Sequence, residues 1–408
     1  MGYPLAIICL LGLSIASMWT QALLIGLLSE YRQMIACDIN HPRHGDENYV
    51  ASYHEVIGGL QGKKWATLSI IVVFFALLGL SVAQVVASSS NLYLLAPVLQ
   101  TRTYALIIGV AFSSLCFVSS FRDYRLLSVI GVASTFYAAF YLVIEAASQG
   151  PVENVDYTAP TDFFSFFTGF TDLLFMFGGH TAAIEKASEM NSPEKYHVAY
   201  YYAVLYCYVI TLPTGITGFH TFGSQAADTS NAFYLFEKSV AREVGLALMI
   251  AHEFVAFDLF CGPLFFLWEK FLKIEGKNYW LKSCSRLIVV WLVVLVSVAF
   301  PFFGVINSVL GAFTTTLGSF IIPSLVYNLY FSSEEIIAGK NHKMPFNLKM
   351  STVKTINWII VVLIFVLGFV CGGISSVKSL IDQAKEFKLF DPCYGCPTPI
   401  DNPETPSQ

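Results

Sequence analysis

Residues 175–185 read FMFGGHTAAIE, a run that sets two glycines, a histidine and a glutamate inside apolar flanks. Gly178 and Gly179 each weaken a helix by roughly 1 kcal/mol relative to alanine. Backbone groups freed at membrane depth persist only where protein or a wet cavity satisfies them. The pair therefore predicts either a broken helix or a close helix contact at small residues. His180 favours the break, because packing alone does not call for an imidazole. The second half of a broken helix presents free N–H groups and a positive dipole end, which together hold an anion without a basic side chain. A carboxylate is the natural ligand, with Gly178, Gly179, His180 and Thr181 as its cradle. His180 adds a hydrogen bond or takes a proton, since imidazole titrates closest to physiological pH. Glu185, five residues on, is too near the cytoplasmic end to share that ligand and reads as a gate contact or a helix-end charge.

Other polar residues interrupt the apolar runs: Gln84, Asn91 in ASSSN (87–91), Asp172, AHEFVAFD (251–258) and FPFFGVINS (300–308). Intramembrane ionisable groups are costly and normally face a bundle interior or a cavity. On an ideal helix His252, Glu253 and Asp258 project at about 0°, 100° and 240°, so they cannot all face one cavity. His252 or Glu253 serves as a proton site, or the acid satisfies a neighbouring helix. Asp172 is placed at the outer mouth of the broken segment. GVINS after Pro301 reads as a turn, with Asn307 in reach of a substrate pathway that Gln84 also lines. Among nine cysteines only Cys393 and Cys396, in CYGCP, form a pattern. A CxxC pair is redox-active, half of a zinc site or a tight disulfide, and an outward-facing tail favours the disulfide.

The elements that must position these groups follow from composition. Of 408 residues 55% are hydrophobic and 12% charged, with a mean hydropathy of +0.62, far from the roughly 25% charged of soluble domains. A net charge of −5 with no clustered basic face excludes a nucleic-acid partner. Ten apolar runs are long enough to cross a bilayer: about 4–29, 67–89, 103–120, 126–147, 163–186, 198–222, 243–267, 287–303, 305–331 and 354–376. Placing the connections 30–66, 121–125, 187–197, 268–286 and 332–353 on one side, with Lys186 and Lys354, gathers 17 of the 23 lysines and arginines there. Positive loops stay inside, so that side is cytoplasmic and both termini lie outside. SYHEVIGGLQGKKW (52–65) reads as a short surface helix whose His54 and Glu55 are solvated or interfacial. The Pro-rich end, 396–408, reads as disordered.

Several motifs, taken in order, resemble the AUX/LAX auxin influx carriers, a branch of the amino acid/auxin permease family. They are WTQALLIGLLSEYR (19–32), EVIGGLQGKKW (55–65), SNLYLL (90–95), SSFRDYRLLSVIG (119–131), FTGFTDLLFMFGGHTAAIE (167–185), SNAFYLF (230–236), GPLFFLWEK (262–270), FPFFGVINS (300–308) and LFDPCYGCP (389–397). The resemblance implies an all-α polytopic membrane protein of the LeuT/APC inverted-repeat fold. A transporter domain would occupy 1–376, with repeat one at 1–147, repeat two at 163–331 and an extra helix at 354–376, before an extracellular tail at 377–408. It implies a break in the family's sixth helix at Gly178-Gly179-His180, and keeps the family's histidine and Glu185. Met1-Gly2 aligns near the start of the family's second helix. Ten spans rather than eleven are thus expected, with one half of the substrate cradle missing.

The activity implied is proton-coupled import of indole-3-acetic acid, or a similar aromatic carboxylate, across the plasma membrane. Protons would pass through His180, His252 or Glu253, with Glu185 and Asp172 as further coupling groups. No metal or cofactor and no covalent chemistry is expected, since neither HExxH nor an exposed serine motif occurs. The extra carboxylates Asp172, Glu253 and Asp258 depart from the family pattern and suit the ammonium of an amino acid, so an amino acid/proton symporter is the alternative. A non-transporting membrane sensor is a third reading, should the first helix be genuinely absent.

Overall fold

The computed structural model describes residues 2–46, 49–117, 125–153, 155–158, 162–227, 229–274, 276–332 and 348–386; among them there are helices and no strand. Cys393 and Cys396 lie outside the described residues. The chain runs through α1 (Tyr3–Cys37), the short α2 (Tyr53–Gln61), α3 (Lys63–Leu95), α4 (Thr101–Ser113) and α5 (Arg125–Gln149). It continues through α6 (Phe163–Met176), α7 (Ala183–Ser188), α8 (Tyr196–Phe222), α9 (Val240–Leu272) and α10 (Tyr279–Ala299). Next comes one long rod in which α11 (Phe303–Leu310) and α12 (Ile322–Tyr330) flank a π-helical stretch, Gly311–Ile321. A second rod joins α13 (Met350–Ile364) to α14 (Gly373–Glu386) through another π stretch, Phe365–Gly372.

Among the described residues eight helices are long and apolar enough to span a bilayer. A shorter apolar helix, Thr101–Phe117, and the α6–α7 pair complete the ten expected runs. The protein is a multi-pass, all-helical membrane protein. Two sequence boundaries are corrected. The run placed at 287–303 begins at Tyr279 and stops at Ala299, where Phe300-Pro301-Phe302 leaves the helix. GVINS is not a turn but the body of α11, because Pro301 sits before the helix start and breaks the chain one element earlier than expected.

α3 and α9, each 33 residues, are about 50 Å long at 1.5 Å per residue, and they pack along each other at the centre. Lipid tails are as apolar as leucine, so close approach at small residues does much of the joining. A Cβ at Gly311 would stand 2.0 Å from the Thr171 carbonyl oxygen, a Cβ at Gly79 2.4 Å from Leu310, and a Cβ at Gly109 2.7 Å from Val294. Buried amides add a second kind of joint. Trp19 Nε1 donates to Asn357 Oδ1 at 2.7 Å, and Asn357 Nδ2 donates to Asn328 Oδ1 at 2.8 Å, linking α1, α13 and α12. Arg286 Nε donates to Glu269 Oε1 at 2.7 Å and closes α9 against α10.

Candidate functional site

The break at the glycine pair is present. Asp162 caps the start of α6 by accepting from Ser165 N–H, and α6 ends at Met176. Phe177 leaves the helix at φ −99°, ψ 19°, and Gly178–Ala182 forms a tight 3₁₀ turn before the six residues of α7. Close packing operates here too: a Cβ on Gly178 would meet Thr315 Oγ1 at 2.8 Å, whereas Gly179 has open space. The π stretch lies against this turn; a Cβ on Gly318 would stand 2.7 Å from Thr181. Its widened turns leave carbonyls to be satisfied by side chains, and Thr316 Oγ1 donates to the Gly311 carbonyl at 2.9 Å.

His180 is fully buried. Its Nε2 lies 3.1 Å from the Ser17 carbonyl and 3.1 Å from Thr20 Oγ1, both on α1. A carbonyl only accepts, so Nε2 carries a hydrogen. In the neutral ring Nδ1 then holds the lone pair, and Nδ1 is buried without a partner. Tyr200 of α8 meets the ring edge-on at 5.4 Å, and Phe320 lies at 6.2 Å. Tyr200 is itself held by the Ser17 hydroxyl at 2.5 Å, and Tyr208 by Ser14. Around this ring Thr181 Oγ1, Ser319 Oγ and both amide atoms of Gln21 are buried and unpartnered. These polar atoms without protein partners gather beside the broken segment.

The other candidates are distributed more widely than the sequence placed them. Asp172 lies on α6, about one turn before the break, exposed, and accepts from Ser308 Oγ of α11 at 2.5 Å. The residue reading cannot see this, because it needs the register between two helices. Asn307 precedes that serine, half-buried with Oδ1 unpartnered. Gln84 is half-buried on α3. His252 and Glu253 diverge, as their helical angles require: His252 Nδ1 donates to the Gly131 carbonyl of α5 at 3.2 Å, while buried Glu253 accepts from Asn91 Nδ2 of α3 at 2.8 Å. Asn91 in turn accepts from Asn231 at 2.8 Å. Asp258 is buried. The bonds of His252 and Glu253 thus go to α5 and α3, not to the broken segment.

Glu185 is buried on α7, beyond the 3₁₀ turn. Its Oε1 accepts from the Tyr53 backbone N–H at 3.1 Å, and its Oε2 has no partner. Expected as solvated or interfacial, Glu55 is instead gripped: Lys270 Nζ lies 2.8 Å from Oε1, and Tyr49 donates to Oε2 at 2.7 Å. Burial works to raise the Glu55 carboxyl, but Lys270 and the bonds from Tyr49 and Ser52 outweigh it and hold the group below its ordinary value. Burial, only partly offset by Glu55, holds the neighbouring His54 imidazole below its ordinary value and therefore neutral. The residues that sequence reasoning missed are Ser17, Thr20, Gln21, Tyr200 and Tyr53. Ser17 and Thr20, three apart, share a helix face, which was the available signal; Tyr200 was lost among the many aromatics around it.

Comparison with known proteins was made against this geometry. The family model for transmembrane amino acid transporter proteins matches residues 1–374. Auxin transporter-like protein 1 of Medicago truncatula is 35% identical over 381 residues, 93% of this chain and 79% of that protein. Auxin transporter-like protein 4 of the same plant is 36% identical over 394 residues, 95% and 80%. Auxin transporter protein 1 of Arabidopsis thaliana is 35% identical over 382 residues, 93% and 78%.

Proposed function

We propose a proton-coupled carrier, starting from the fact that the chain belongs to the transmembrane amino acid transporter family, in its AUX/LAX branch. Its substrate is an indole or other aromatic carboxylate such as indole-3-acetic acid, imported across the plasma membrane. The relatives' printed names support the substrate class. The observation that carries the reading is His180, buried beside a broken span with Nε2 committed to α1 and Nδ1 unpartnered.

In this mechanism Gly178 and Gly179, which open the 3₁₀ turn, offer helix-start backbone N–H groups to the carboxylate, and Thr181 offers its unpartnered hydroxyl. A proton arriving at Nδ1 makes the ring a cation, whose charge favours the substrate anion; release of one favours release of the other. That reciprocity is what couples the two fluxes. Glu185, Asp172, His252 and Glu253 are further proton-handling groups, and Gln84 and Asn307 line the path. Repeat one at 1–147 and repeat two at 163–331 would rock about this midplane site, with the 354–376 helix outside them and 377–408 as an extracellular tail.

The test is uptake of radiolabelled indole-3-acetate with and without an inward proton gradient. Saturable uptake that a protonophore abolishes supports the proposal; uptake indifferent to the gradient refutes it. An amino acid/proton symporter is the second reading. The family description and exposed Asp172, one turn from the break and able to face an ammonium group, favour it.

A further inference from the structure

α2 is held to three different membrane elements through its first three residues. Tyr53 is fully buried. Its N–H donates to Glu185 of α7 at 3.1 Å, and its hydroxyl donates to the Gly318 carbonyl, in the π stretch, at 2.7 Å. Two residues on, Glu55 pairs with Lys270 of α9 at 2.8 Å. The Ser52–Glu55 capping box fixes the first turn, so the Tyr53 N–H is presented outward as a free helix-end donor. Gly59 seats the same helix on the Tyr31 ring of α1, where a Cβ would stand 2.3 Å from the ring.

We propose that α2 is a cytoplasmic latch in which Tyr53 is the positioning residue, clamping the inner half of the broken span to the π stretch and thereby closing the inside of the site around His180. α7, which follows the 3₁₀ turn, and the π stretch Gly311–Ile321 flank His180, and Tyr53 grips both, one through its backbone N–H and the other through its hydroxyl. The grip is made of polar bonds at the membrane rim, which water replaces at little net cost once the rim is wetted. The apolar core cannot be exchanged in this way. Glu185 is held through one oxygen only, so the clamp is secured at a single point on that side. The inference rests on the carrier reading above, but its test reads backbone exchange and not uptake, so the two fail separately.

The experiment is hydrogen–deuterium exchange of the full chain in lipid nanodiscs, for the parent, Tyr53→Phe and Glu185→Leu. Tyr53→Phe removes only the bond to Gly318, and Glu185→Leu only the acceptor for the Tyr53 N–H. A latch shares its load, so each variant should speed exchange about fivefold, the worth of one hydrogen bond, in all three segments 53–61, 183–188 and 311–321. α4 and α10 should stay unchanged. Loosening confined to the segment that lost its own bond, or a uniform rise that includes α4 and α10, overturns the proposal. Each variant is informative alone if the other fails to fold.

Discussion

At the scale of single residues, the account turns on which atoms of a buried polar group are left open. His180→Ala removes the Nε2 donor and the open Nδ1 together. It should cut saturable uptake at least about tenfold, since a hydrogen bond to a charged group contributes about 1.5–3 kcal/mol; transport assays at fixed surface expression measure it. Asn357→Ala is predicted to act only on stability. It removes the acceptor of the Trp19 indole N–H and the donor to Asn328 Oδ1 and should cost about 1–3 kcal/mol, read as a lower thermal midpoint. The histidine was legible in the sequence because an imidazole after two glycines has no packing reason. Its partners were not. Thr20 lies 160 residues away and Ser17 163, on α1, and only the contact of α1 with the 3₁₀ turn makes them a site. Glu253 shows the limit from the other side: its burial was legible, but its partner Asn91 required the register of α3 on α9.

At the scale of elements, the helix break and the ten apolar runs were readable from composition and spacing, because hydrocarbon thickness imposes a minimum length. The π stretches were not, since no propensity distinguishes a widened turn from an ordinary one. They become intelligible only with their neighbours. Gly311 lets α6 come so close that its own Cβ position is occupied by the Thr171 carbonyl. Gly311→Ala must therefore push two backbones apart, and the expected loss is about 1–3 kcal/mol or more, seen as reduced folded yield and melting temperature. α2 was legible as a surface helix but not as an anchored one. Because the folded Glu55 carboxyl lies below its ordinary value, its contribution is fully present above the unfolded value near ~4.3 and is lost as pH falls through the folded value. The difference in melting temperature between the parent and Glu55→Gln should thus be largest near neutral pH and shrink towards zero under acid. A difference that grows on acidification would contradict the ion pair with Lys270.

At the scale of the whole molecule, charge on the loops sets sidedness, and the latch, the ion pair Glu269–Arg286 and most of the lysines and arginines fall on the side assigned to the cytoplasm. The opposite side carries the acidic and neutral loops and the Asn231–Asn91–Glu253 chain. A carrier needs such an asymmetry, because a site at mid-membrane must be closed from one side while open to the other. What separates an auxin carrier from an amino acid symporter is whether the site demands an ammonium group. The buried atoms around His180 suit a carboxylate and an aromatic ring, with Tyr200 and Phe320 against the imidazole.

The most direct measurement is competition against radiolabelled indole-3-acetate uptake, driven by an inward proton gradient in vesicles that contain this protein. The account predicts saturable uptake that collapses with a protonophore, is blocked by aromatic carboxylates lacking an amine and is untouched by excess amino acids. Block by amino acids, with no effect of amine-free aromatic acids, would contradict it and place the ammonium partner at the centre of the site.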